Sequence, residues 1–146
     1  MNTMNKDMTL INVAMGAVGG VISNALGGWT LALQLLIILM ILDYTTGIVN
    51  AAFSKTLSSQ TGFKGIIKKV VMLAIISVAA QADAVLNTNL LREIVIYFYI
   101  SNEGISFLEN TAKLGVPYPR QIKDMLIQIG KMSEKSNVEI NNEKGA

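Results

Sequence analysis

A run of 35 uncharged residues, Met8 to Leu42, constrains this chain more than any other feature. A helix that crosses a bilayer needs about 20 mainly apolar residues, so the run has room for nearly two. Gly27-Gly28 divides it, and paired glycines suit a tight reversal. The sequence therefore predicts a first helix over residues 8–26 and a second over 29–53, packed as an antiparallel hairpin. From Leu31 to Leu42 the second carries nine Leu or Ile residues. On an insertion scale they contribute roughly −3 to −5 kcal/mol together, against a cost of about +2.5 to +3.5 for Asp43 if it lay at the centre. Insertion is favoured.

The first helix is the weaker span, rich in Gly, Ala and polar residues. Gly16-x-x-x-Gly20 and Ser23-x-x-x-Gly27 place small residues at the spacing that lets helix backbones approach closely in lipid. Gly16, Gly20 and Gly27 are accordingly candidate packing positions, against the second helix or against another copy. Lys6 and Ser23-Asn24-Ala25 loosely fit a cleaved signal peptide, but the spans that follow favour a retained helix. Met1, Met4 and Met8 offer alternative starts, the last of which would drop Lys6 and Asp7.

Ser54 to Gly65 is expected to be a polar loop, with Lys64, Lys68 and Lys69 as basic anchors at its end. A third span follows at about 66–86. It holds Asp83 near its outer end, where the interface would solvate it. Asn87, Thr88 and Asn89 make a short turn, and a fourth segment runs over about 90–111. Its apolar residues are roughly offset by Glu103 and Glu109, so it needs partner helices or water along one side. Pro117 and Pro119 end the helical region. Residues 113–133 then form a linker and an amphipathic helix, with Ile122, Met125, Leu126 and Ile129 at i, i+3, i+4 and i+7. Arg120, Lys123 and Lys131 suit either an anionic membrane surface or a neighbouring subunit. The polar tail, 134–146, is expected to be disordered.

This pattern predicts an all-α membrane protein of about four transmembrane helices, the first one weak, plus a C-terminal amphipathic helix. Short loops rich in Lys and Arg stay in the cytoplasm, which places the loop after the second span and the C-terminal region inside. Four spans with both termini inside satisfy that rule; three with the N-terminus outside would result if the first helix stayed out. Composition narrows the function. Net charge is only +2, from 12 Lys+Arg and 10 Asp+Glu, so no nucleic-acid partner is expected. With no Cys and no His, thiol nucleophiles, histidine acid–base chemistry and common zinc sites are excluded. An enzyme is not expected, nor a cofactor or metal.

Function should lie in the polar residues within the spans. Asp43, Gly47 and Asn50 form one stripe on the second helix. Ser77 and Gln81 share a face of the third, and Tyr99, Glu103, Ser106 and Asn110 repeat at i, i+4, i+7 and i+11 on the fourth. Such residues face a bundle interior or water, so the stripes serve either as polar contacts between helices or as the lining of a lumen built by several copies. Asp43 and Glu103 as a catalytic carboxylate pair lack any accompanying phosphate loop, nucleophile elbow or metal cluster.

Several of these residues fall in a recognisable order. Leu42-Asp43-Tyr44-Thr45-Thr46-Gly47 is followed by Ser58-Ser59, Gly62, Gly65 and Lys68-Lys69. Tyr99, Asn102-Glu103-Gly104-Ile105-Ser106, Leu108-Glu109-Asn110 and Gly115-Val116-Pro117-Tyr118-Pro119 complete the series. Over residues 20 to 130 the chain resembles the toxin secretion/phage lysis holin family. The resemblance implies a multi-pass protein of the bacterial cytoplasmic membrane that contacts lipid and assembles as a homo-oligomer. Its lesions would release an endolysin or a secreted toxin and collapse the proton-motive force. In that setting Asp43 and Glu103 are expected to bias the switch between a closed and a water-exposing arrangement. A small ion channel or transporter, or a non-permeabilising protein that restrains another holin, would use the same stripes.

Overall fold

The computed structural model describes residues 3–129 and 131, with side chains from Asp7 onward, and all its regular structure is helical. The tail at 134–146 and the start at Met1 lie outside the described residues. Four long helices, α1 (Thr3–Ala25), α2 (Leu31–Phe53), α3 (Ser59–Leu86) and α4 (Leu90–Lys113), precede a short α5 over residues 120–129. Asp7–Ala25, Leu31–Phe53 and Ser59–Leu86 are long and apolar enough to cross a membrane. At 1.5 Å per residue, the 23 residues of α2 extend about 35 Å, enough for a hydrocarbon core of about 30 Å. α4 is not among these three, in keeping with Arg92, Glu93, Glu103 and Glu109 along its length.

Local chemistry sets the helix starts. Thr30 is extended and its hydroxyl accepts from the Leu33 amide at 3.2 Å, opening α2; Ser58 does the same for Thr61 at 3.1 Å, opening α3. The second cap overturns part of the expected loop, because 59–65 are the first two turns of α3. Gly62 and Gly65 serve close approach there instead of a turn. A Cβ on Gly65 would stand 3.1 Å from the Tyr44 ring, and the Tyr44 hydroxyl donates to the Gly62 carbonyl at 3.4 Å. α4 has no side-chain cap from Asn89. Asp83, one turn before the end of α3, accepts from the amides of Leu91 (3.1 Å) and Arg92 (2.8 Å) in its place.

α2 and α4 run parallel, in a register offset of 60 residues marked by the contact of Asn50 with Asn110. Leu36 and Ile96, and Met40 and Ile100, are buried at matching positions along this pair. α3 lies antiparallel across it and adds Met72 and Ile76 to the core. α5 folds back on α4: Leu126 is buried, and the Ser101 hydroxyl donates to its carbonyl at 2.7 Å. The expected amphipathic helix thus forms, with Leu126 turned onto α4 and Ile122 and Met125 exposed.

The expected α1–α2 hairpin does not form. α1 meets α3 only near its C-terminus, where the Ser77 hydroxyl donates to the Ala25 carbonyl at 2.8 Å, and it makes no contact with α2. Gly16 and Gly20 have no neighbour within 4 Å, so within one copy they pack against nothing. Gly27 does permit a close approach, but from outside the helix and toward α3 and α4 instead of α2. It sits in the turn at φ +76°, and a Cβ there would stand 2.9 Å from Ala80 and Arg92. The Arg92 guanidinium holds that turn, donating to the carbonyls of Leu26 and Gly28 (2.7 Å). A turn fixed by α4 leads α1 away from α2.

Candidate functional site

The predicted stripes meet face to face. Because α2 and α4 are parallel, Asp43, Gly47 and Asn50 meet Glu103, Ser106 and Asn110 at corresponding levels. The Asn50 amide donates to the Asn110 backbone carbonyl at 2.9 Å, and the Asn110 amide donates to Asp43 Oδ1 at 3.1 Å. Gly47 leaves room for this, since a Cβ there would lie 3.6 Å from Asn110 Nδ2. Each interhelical polar contact of this kind contributes about 0.6–2 kcal/mol in lipid.

Lys69 crosses from α3 to close the seam. Its ammonium donates to Asp43 Oδ2 at 2.8 Å and also to Glu103 Oε2. The Lys69 side chain is 14% exposed and that of Glu103 only 2%. This corrects the reading of Lys69 as a basic anchor: it turns inward, while Lys64 and Lys68 remain exposed. Lysine at position 69 lies on the α3 face that includes Met72 and Ile76, and that helical spacing was the signal available in the sequence.

The other predicted residues lie apart from this seam. Tyr99 is half-buried one turn before Glu103 and packs against Phe98, with ring centroids 5.4 Å apart. Ser77 binds the end of α1, and Gln81 is exposed on the outer part of α3. Asp83, expected to be solvated, is 4% exposed and accepts from Thr88 as well as from the α4 amides. A second knot therefore stands at the opposite end of the bundle, built from Asp83, Arg92 and the α1–α2 turn. Every buried side-chain polar atom among the described residues has a partner.

A small protein with three helices of membrane-crossing length, apolar surfaces on them and a buried polar seam between them belongs to the multi-helix membrane proteins. The bacteriophage holin family matches residues 20–131, from the end of α1 through α5. A 14.9 kDa protein in the nagH 3' region of Clostridium perfringens is 44% identical over 105 residues, covering 70% of this chain and 80% of that one. YqxH of Bacillus subtilis is 38% identical over 105 residues, covering 71% and 75%. A probable holin of Bacillus phage phi105 is 36% identical over 95 residues, covering 64% and 70%. No solved structure matches the chain. The chain belongs to the bacteriophage holin family.

Proposed function

We propose that this chain is a holin that accumulates in the cytoplasmic membrane and then oligomerises into lesions that release an endolysin or a toxin. α1 to α4 span the bilayer, with both termini inside. The observation that carries the reading is the closed seam: the polar stripes of α2 and α4 are engaged with each other and with Lys69, while apolar side chains face outward. A single copy with this arrangement tolerates lipid and offers no wide aqueous path. Permeability for a folded protein then requires many copies and a change in how their helices meet.

Induced expression in a bacterium carrying a cytosolic endolysin without an export signal tests this, with optical density and membrane potential followed together. A lag followed by sudden, endolysin-dependent lysis and depolarisation is the expected result. Depolarisation without endolysin release would assign a small channel instead. Confirmed insertion with neither effect would assign a regulator of another holin.

A further inference from the structure

At the centre of the seam one cation serves two carboxylates, each on a different helix from the other and from the cation. The nearest basic neighbour in sequence, Lys68, is exposed, so the cluster carries one surplus negative charge when all three groups are ionised. The knot at the other end differs. The Asp83 carboxylate there accepts from the Thr88 hydroxyl and from the backbone amides of Leu91 and Arg92, and no second carboxylate competes for these donors, while the Arg92 guanidinium is taken by the Leu26 and Gly28 carbonyls. In the Lys69 cluster, two carboxylates that share one cation in a low-dielectric site repel each other at a cost that the single, fully hydrogen-bonded Asp83 does not bear.

Its position adds an independent observation. Lys69 stands between two clefts along the boundary of α2 and α3. One, of about 250 Å³, is lined by Tyr44, Gly47, Gly65 and Asn110; the other, of about 310 Å³, by Ile37, Met40 and Leu73. With space on both sides, α3 is seated on α2 mainly through this lysine and the contact of Tyr44 with Gly62 and Gly65. Lipid tails replace apolar contacts between helices at little cost, so polar contacts decide whether this end of α3 stays on α2, while Asp83 ties the other end to α4.

We infer that Lys69 is a shared-cation latch that holds the N-terminal half of α3 against the α2–α4 seam, and that its release frees this half of α3, still tied to α4 through Asp83, for the rearrangement that opens the assembly. The inference rests on the holin reading for its consequence, but the latch itself is measurable without lysis. Its charge imbalance fixes opposite signs for two substitutions. Glu103→Gln removes the surplus charge and leaves a one-to-one pair of Lys69 with Asp43, so the closed state is favoured. Lys69→Gln leaves two carboxylates facing each other, so it is disfavoured. Combining both leaves Asp43 alone with the Asn110 amide, and the double variant should recover most of what Lys69→Gln loses.

The test is a double-substitution cycle on the full chain, read as thermal midpoint in detergent and as lysis onset with a cytosolic endolysin. Glu103→Gln is expected to raise the midpoint and delay onset; Lys69→Gln should lower the midpoint and advance onset. The double variant is expected above Lys69→Gln by about 3 °C or more. If Lys69→Gln does not fold, recovery of folding in the double variant supports the latch and failure to recover overturns it. Additive midpoints, or a lower midpoint for Glu103→Gln, would also overturn it. Should no variant and no wild-type chain cause lysis, the holin reading fails while the midpoints still decide the latch.

Discussion

At Gly104 a missing side chain lets α5 reach α4. A Cβ there would stand 2.8 and 2.9 Å from the two methyl carbons of Leu126, which is itself buried. Gly104→Ala should therefore push Leu126 out of its seat and weaken the docking of α5, at a cost of about 1–3 kcal/mol. Limited proteolysis at residues 114–119 reads this directly, and faster cleavage is expected. Leu126→Ala in the same background removes the clash, so combining the two should cost less than the sum of the single effects. The sequence placed Gly104 within a family-like run but gave no sign of this contact, because its partner lies 22 residues further on in a separate helix. Asp83 failed for the same reason. Its spacing on α3 suggested an interfacial, solvated acid, whereas its partners are amides eight and nine residues downstream across a turn.

Among the helices, periodicity was the reliable guide and partner choice was not. The stripes Asp43, Gly47 and Asn50 on α2 and Glu103, Ser106 and Asn110 on α4 could be read from sequence, and the structure places them opposite each other in a parallel register. Parallel packing of α2 with α4 follows from two short connections, α2–α3 and α3–α4, each reversing the chain. Nothing local shows that α2 prefers α4 over its immediate neighbours. The same limit explains α1. Its small residues signal close packing, yet within one copy they meet nothing. Gly20→Leu should therefore leave the thermal midpoint of the dispersed protein almost unchanged, within about 0.5 kcal/mol of stability, as at an exposed position. In membranes the same substitution is expected to reduce chemical cross-linking between copies, because a leucine there prevents close backbone approach. Unchanged cross-linking would assign this face of α1 to lipid alone.

Across the whole molecule, the fold brings basic residues at two connections to one end. The α2–α3 connection, with Lys55, and the end of α4, with Lys113, lie at one end of the bundle, as the parallel α2 and α4 require. Arg92 lies at the other end, occupied by the Leu26 and Gly28 carbonyls and thus poorly placed as a topological signal. The proposed orientation puts the end bearing Lys55 and Lys113 in the cytoplasm, following the rule for short basic loops. Because the chain has no cysteine, single thiols can map this without background. Trp29→Cys, at an exposed position in the α1–α2 turn, is expected to react with a membrane-impermeant maleimide added to intact cells before lysis begins. Leu57→Cys, exposed in the α2–α3 connection, should react only after the membrane is opened. Asp7→Cys decides the remaining question, whether α1 crosses. Protection in intact cells, matching Leu57→Cys, is expected for four spans; reaction from outside would mean that α1 stays out of the bilayer and that three helices cross.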